Sequence, residues 1–479
     1  MAGLFTTRTL LWILVGVVAV RFLSLGLYPI IDKSEARYAY IGELMVLTGN
    51  WITPQIDFGV PFWAKPVLST WLTAGSIAIF GVNSFAARFS SFLIFAGCGA
   101  LIYVLASRWR DKTFALAATC IFASSGMMFY LGGTVMTDPS LLLGVTVTMA
   151  GYWLCVAEPG KHARLWGYVF FLGVTIGLLA KGPIGAIIPG ISIVLWATHQ
   201  RRWMDSWRRL PWLGGILLVA VLVIPWYVAA ELRSPGFLRY FIIGEHFDRF
   251  LVPNWNGDLY GSSRTLPFGT IWLFALFGML PWSGVAIGFL FRSDARAKTF
   301  TRSFLCDPWI SYLIYWALAP LMLFTFARNI LLTYPATAMP ALALLIAQLL
   351  GLSRRASDRY AFAVSAAALP VLIVVVVAAT LIEPDLKFIP TQANIVATFK
   401  RSGDTKDLVY VFERPFSADF YSKGTAKLAR TNEQALQFFN DGANYFAVPR
   451  RSHATLSAEL ASRTHPVAQD NNTILLKRQ

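Results

Sequence analysis

The chain has 479 residues, of which 56% are hydrophobic and only 14% charged, a balance far too apolar for a soluble protein of several domains. Its net charge of +16 comes from 41 basic against 25 acidic residues. The basic residues collect in short loops between apolar runs, a pattern that orients helices in a bilayer and argues against nucleic acid as the partner.

In chain order, apolar runs near the length of a bilayer crossing occupy 10–27, 86–106, 113–131, 139–157, 164–180, 183–198, 211–230, 267–291, 309–326, 329–350 and 360–382. About eleven transmembrane helices are therefore expected, in a polytopic all-α membrane protein. The first run follows Arg8 and has no convincing small-x-small cleavage site after it, so it is read as a retained span. A further run, 67–80, is short and begins after Pro66. Reading it as a helix lying on the membrane keeps Arg108, Lys161, Arg201, Arg292 and Arg354, with their basic neighbours, all on the cytoplasmic side; counting it as a span inverts every later loop.

The opposite, outer face then carries the loop 28–85, the turn near Asp138, the Lys181-Gly182-Pro183 break, the loop 231–266, the turn at Arg328 and the C-terminal region. From about Pro384 the composition turns mixed, with strand-like runs such as 408–412 and 445–448 around a helical stretch at 432–440. The expected division is a membrane domain over 1–383 and a small α/β domain over 384–479. Cys98, Cys120, Cys155 and Cys306 lie in or beside apolar spans without ligand spacing, as core residues do.

The outer loops hold the residues that can carry chemistry. Asp32 and Glu35 stand three apart, so a helix starting near Asp32 places both on one face. They fit a helix cap and its completing carboxylate, and equally a pair of acids tuned at the edge of the membrane. Lys65 stands between Phe62-Trp63 and Pro66, where a lysine either snorkels or holds a lipid phosphate. Asp138 before Pro139 fits an N-cap at the depth of Asp32. Lys181 breaks a long apolar stretch on the outer side, against the positive-inside tendency, and so calls for an anionic partner.

In the later outer loop, Glu245-His246-Phe247-Asp248-Arg249 packs four ionisable groups into five positions. One histidine without a second at ligand spacing is a weak metal signal, and Arg249 reads better as an anion binder. Arg328, followed by Tyr334-Pro335, adds a cation and a kinked helix at the same face. Charges gathered at one depth are costly unless they line a wet cavity.

These stretches, together with 49–54, Trp71-Leu72, 80–84 and Ala87-Arg88, resemble in order the membrane glycosyltransferases that use polyprenyl-phosphate sugars (GT-C fold), in particular the aminoarabinose transferases of lipid A and the protein O-mannosyltransferases. The resemblance covers most of the first 350 residues. It implies an outward cavity for an undecaprenyl-phosphate sugar, with transfer to lipid A or another envelope glycolipid on the periplasmic face of a bacterial inner membrane. Asp32 matches the catalytic acid of the first loop, Asp138 the second acid, Lys65 the phosphate-binding lysine, Arg249 a basic residue of the later loop, and Tyr334-Pro335 a motif of a late span. Glu35 joins the acids, Arg328 and Lys181 the phosphate binders, and Arg37, Tyr38, Arg88, His246 and Tyr334 the expected substrate contacts. Ala64 departs from the pattern: the aminoarabinose transferases carry there an acid linked with a bound metal, so no metal ligand is assigned.

The implied reaction is an inverting displacement at the anomeric carbon. Lys65 and Arg249 would stabilise the departing phosphate, and Asp32 would take the proton of a hydroxyl acceptor while Asp138 orients sugar or acceptor; a phosphate acceptor needs no base. A lipid or sugar transporter also expects many spans, but internal repeats and midplane charges are not seen. Protein O-glycosylation stays open as a second acceptor class, whereas an asparagine-modifying enzyme lacks its Trp-Trp-Asp signature.

Overall fold

The computed structural model describes residues 6–157, 159–248, 252, 257, 259–260, 266–291, 306–327, 329–351, 356–382, 389–470 and 472–479. Every expected apolar run falls on helix. Among the described residues, seven helices are long and apolar enough to cross a membrane: Thr7–Ser24, Ser84–Trp109, Asp138–Ala157, Ala163–Lys181, Trp212–Arg233, Pro308–Thr325 and Ser357–Ile382. A further apolar pair, Thr270–Gly278 and Trp282–Leu290, is bent by 103°, the shape of a broken crossing or of a re-entrant loop, with Pro281, which has no N–H to continue the helix, between its halves.

Three of the expected spans are shorter than their apolar runs. The run 113–131 splits at Ser124-Ser125 into Lys112–Ala123 and Gly126–Leu131, because both serine hydroxyls turn back to bond Cys120 O and Phe122 O. Ile184–His199 starts only after the Gly182-Pro183 turn, and the last of the three begins as a single-turn helix at Tyr334–Ala338 before Met339–Leu350. The run 67–80 is a helix of 13 residues, Leu68–Phe80, about 20 Å long at 1.5 Å per residue and too short for a crossing.

Two compact units are present. The first holds residues 1–23, 61–69 and 91–372. Its tightest contact is between the helices Asp138–Tyr152 and Ala163–Lys181, whose backbones meet at glycines. A methyl group on Gly144 would lie 2.6 Å from Gly177 N, and one on Gly173 would lie 2.4 Å from Thr148 N. Small residues allow this approach in lipid, where dispersion contact replaces the hydrophobic effect as the force between helices. The hairpin brings the first residue of one helix, Asp138, beside the last of the other, Lys181.

The second unit holds residues 24–60, 70–90 and 373–479. The chain's first two strands, β1 (Gln55–Asp57) and β2 (Val60–Pro61), are short. The C-terminal sheet uses β3 (Leu408–Val411), β4 (Lys427–Ala429), β5 (Tyr445–Pro449), β6 (Thr464–Gln469) and β7 (Thr473–Arg478) in the order β4-β3-β5-β7-β6. The β4-β3-β5 half is parallel and the β5-β7-β6 half antiparallel, ending in the β6-β7 hairpin. Alternation along β3 sends Val409 and Val411 to a core with Phe439 and Leu460, and Leu408 and Tyr410 to a second core with Ile395 and Ala418. The expected strands and the helix Asn432–Asn440 are thus in place.

Candidate functional site

In the first unit, Lys181 Nζ donates to Asp138 Oδ1 at 2.7 Å. Gly182 follows with φ +70°, a conformation other residues rarely take, and a side chain there would strike the Phe241 ring at 2.6 Å. Phe241 packs edge-on against His246, 4.8 Å between centroids. The histidine is pinned by two carbonyls, Nδ1 at 2.8 Å from Phe241 O and Nε2 at 3.1 Å from Lys181 O.

Lys65 reaches the same place from the segment 61–66. Phe62 packs on Tyr260 at 4.7 Å, the Tyr260 hydroxyl accepts from Trp63 N and donates to Pro61 O, and the Trp63 indole donates to Ser234 Oγ at 2.7 Å. The lysine so held donates to Glu245 Oε2 at 2.8 Å and Ala64 O at 2.6 Å. Glu245 is only 3% exposed, so the pair sits in a poorly solvated place. Lys65, Lys181, Glu245, His246 and Tyr334 line a cavity of about 90 Å³, with Lys181 Nζ 4.7 Å above the Tyr334 ring. At about 10–15 Å³ per water centre, that is room for several waters or one phosphate group.

The donor set does not fit a metal ion. Both nitrogens of His246 face carbonyl oxygens and Glu245 is engaged by Lys65. Among the described residues no group of three His, Cys, Asp or Glu side chains is placed to hold one.

In the second unit, the helix expected near Asp32 starts at Ser34, and Asp32 does not cap it. Its carboxylate accepts instead from Ser417, from the backbone N at 2.9 Å and from the hydroxyl, while its own N–H donates to Pro390 O. Burial pushes Asp32 up to about 6, against the pull of the two Ser417 bonds and of Lys33. Glu35 Oε2 does reach back to Ile31 N at 3.0 Å, but both its oxygens also receive the Arg88 guanidinium, at 2.8 and 2.9 Å. Arg88 is fully buried, donates to the carbonyls of Leu25, Tyr28 and Pro29, and lies 3.8 Å over the Tyr28 ring. The pair therefore ties down the turn before Asp32. Arg37 stands 5.2 Å over the Tyr38 ring.

The structure thus gathers Lys65, Asp138, Lys181, His246 and Tyr334 in one unit and Asp32, Glu35, Arg37, Tyr38 and Arg88 in the other. Arg249 and Arg328 lie outside the described residues. Sequence reasoning missed Ser417, which holds Asp32 from 385 positions away, and Glu43, a fully buried carboxyl whose oxygens form no hydrogen bond among the described residues. Burial pushes Glu43 up to about 8. Neither carries a local signal: one is an ordinary serine in a polar region, the other an ordinary helical glutamate.

The sequence pattern of the dolichyl-phosphate-mannose-protein mannosyltransferases matches residues 5–241. Undecaprenyl phosphate-alpha-4-amino-4-deoxy-L-arabinose arabinosyl transferases are similar over two thirds of the chain: that of Aeromonas hydrophila is 31% identical over 327 residues, 68% of this chain and 57% of its own length. That of Pseudomonas paraeruginosa is 32% identical over 335 residues, with the same coverage. The crystal structure of ArnT from Cupriavidus metallidurans bound to undecaprenyl phosphate shares the fold over 98% of both chains, with a TM-score of 0.76 and 18% identity. The chain is thus similar in sequence to these membrane glycosyltransferases over two thirds of its length, and it shares their fold. An apo oligosaccharyltransferase from Archaeoglobus fulgidus shares the fold more distantly, at a TM-score of 0.52 over 92% of this chain and 70% of its own, with 12% identity. The GT-C architecture expected from the sequence is therefore present, although the match spans little more than half the length of the family's arabinosyl transferases.

Proposed function

We propose that the protein transfers a single sugar from an undecaprenyl-phosphate carrier to an envelope glycolipid of the lipid A kind, at the periplasmic face of the bacterial inner membrane. The observation that carries this reading is the convergence of Lys65 and Lys181 on one phosphate-sized cavity beside the ends of apolar helices. An ammonium has three donors, of which Lys65 spends two on Glu245 and Ala64, leaving one for a phosphate oxygen. The relatives named as undecaprenyl-phosphate arabinosyl transferases support the carrier.

In the reaction the acceptor oxygen attacks the anomeric carbon as the bond to the carrier phosphate breaks, inverting the centre. Charge grows on the departing phosphate, where Lys65 and Lys181 stabilise it, with Arg249 and Arg328 proposed as further partners. Asp138 fixes Lys181. A hydroxyl acceptor gives its proton to Asp32, whose raised pKa makes it a stronger base than an exposed aspartate while leaving it ionised at neutral pH. Glu35 and Arg88 hold the turn that carries Asp32. His246 and Tyr334 shape the phosphate cavity, and Arg37 and Tyr38 are proposed sugar contacts.

For topology, the basic clusters at 108–112, 161–164 and 201–209 fall at helix ends opposite those of Asp138 and Lys181, which supports a periplasmic site. We assign 1–383 to the membrane domain, with the loops 28–85 and 231–266 outside it, and 384–479 to a periplasmic domain. Mass spectrometry of envelope glycolipids from cells with the protein, without it, and with Asp32→Asn tests the reading. A shift of one sugar mass present only with the wild-type chain is expected; identical spectra from all three overturn it.

A further inference from the structure

Asp32 is half-buried, on the wall of a cavity of about 690 Å³ whose other lining, apart from Lys33, comes from residues 390–473. Among the described residues only Ser417 donates to its carboxylate, with the backbone N–H to Oδ1 and the hydroxyl to Oδ2. Ser417 is itself fully buried, so it has no surface to offer a substrate. The direction of its hydroxyl is fixed from behind: Gln392 N donates to Ser417 Oγ at 2.9 Å, which leaves the hydroxyl proton to point at Asp32. Gln392 is held in turn, accepting from the Tyr410 hydroxyl and donating to Asp470 Oδ2, each at 3.2 Å. The adjoining Pro390 carbonyl accepts from Asp32 N at 2.9 Å. The C-terminal region thus grips Asp32 by both carboxylate oxygens and by its backbone.

Two donors from one residue fix the rotation of a carboxylate as well as its place, and each oxygen keeps a second lone pair for an incoming proton. We propose that Ser417 is a positioning residue: it aims the Asp32 carboxylate for proton transfer and so makes the C-terminal region part of the reacting site. Proton transfer here rests on the transferase reading, whereas the grip on Asp32 stands without it. Ser417 lies outside residues 5–241, the stretch that matches the mannosyltransferase pattern. Within its own short helix, Phe416–Ser422, the Ser417 hydroxyl makes no bond among the described residues, unlike that of Ser422, which donates to Asp419 O. The two Ser417 bonds favour the charged carboxylate against its burial, as Lys33 does, while Asp470 opposes the charge. Glu413, Arg414, Arg450 and Arg451 stand on the same cavity wall without bonding to Asp32 among the described residues.

The test is an infrared titration of the purified full-length protein in maltoside, following the carboxyl C=O band that Asp32→Asn removes. In the wild type its midpoint should fall at about 6. Ser417→Ala keeps the backbone donor and should move the midpoint up by about one to two pH units, the size of one hydrogen bond to a charged group. Ser417→Cys, which keeps the volume with a weaker donor, should move it the same way and serves if the alanine variant fails to fold. Ser422→Ala, on the same helix, should leave it in place. The acidic limb of kcat for sugar transfer to a hydroxyl acceptor should move with the band. The rate of the Ser417 variants at pH 6 then falls about fivefold or more and recovers at higher pH, with KM for the donor unchanged. An unmoved band in the Ser417 variants, an equal shift in Ser422→Ala, or a band that moves while the acidic limb stays in place would overturn the proposal. If the band moves as expected but the wild type transfers no sugar at any pH, the hold of Ser417 on Asp32 stands and the transferase reading falls.

Discussion

Replacing Lys65 by methionine separates two roles that the structure gives one ammonium group. Lys65 Nζ is 2.8 Å from Glu245, whose side chain is 3% exposed while that of Lys65 is 19% exposed. Removing the cation strands a carboxylate in a poorly solvated place, a loss of about 3–5 kcal/mol in well-buried pairs and about 2–3 kcal/mol here, given the partial exposure of the lysine. Adding Glu245→Gln removes the stranded charge and keeps the acceptor for Tyr240, so the double variant should regain most of that stability. Activity should not return with it. A donor aimed at charge that develops in the transition state is worth about a hundred- to a thousandfold in rate, and Glu245→Gln does not replace it. Thermal unfolding in detergent and single-turnover sugar transfer, measured on the two single variants and the double, give the two readouts. Recovery of both stability and transfer in the double variant would show that Lys65 serves only as the counterion of Glu245, and the phosphate assignment would fail.

Gly182→Ala forces a β-carbon into a φ +70°, ψ −146° conformation and against Phe241; the backbone term alone is about 1–3 kcal/mol, so a clear fall in thermal stability is expected, and an unchanged unfolding temperature would contradict the packing described. Arg88→Lys breaks the fork onto Glu35 and should lower stability by about 3 kcal/mol with little change in substrate KM once folded; normal stability with a raised KM would make Arg88 a substrate contact instead. Glu43, raised by burial from 4.5 to about 8, holds its proton in the fold, so its stabilising contribution is complete below pH 4.5 and fades as pH climbs to 8 and beyond. Hydrogen-exchange protection in 393–440, taken relative to the intrinsic rate at each pH, should therefore be greater at pH 6 than at pH 9 in the wild type and lose much of that difference in Glu43→Gln; the same pH dependence of protection in both would remove Glu43 as its source.

The membrane architecture was legible because hydropathy acts residue by residue: each apolar run became helix, and loop charge identified the short helix Leu68–Phe80 as something other than a span. Helix lengths were less legible, since Ser124-Ser125 and Gly182-Pro183 end helices inside runs that hydropathy alone treats as continuous. The sheet at 408–478 announced itself through alternation, but its order did not, because pairing β3 with β5 depends on contacts far apart in sequence. For the site, Lys181 was visible as an exception to the expected positive-inside pattern and Lys65 as a lysine set between aromatics and a proline, and both have carboxylate partners. Asp32 and Glu35 looked alike at three-residue spacing. Only the fold separates them, giving Glu35 to the buried Arg88 and Asp32 to Ser417.

The central claim is that this chain holds a polyprenyl-phosphate carrier by its phosphate, and binding of undecaprenyl phosphate to the purified protein tests it most directly. Wild type and Asp32→Asn should bind the lipid alike, Lys65→Met with Glu245→Gln should bind it more weakly by about tenfold or more, and undecaprenol, which has no phosphate, should bind poorly to all three. Equal affinity of the wild-type protein for undecaprenyl phosphate and undecaprenol would contradict the account.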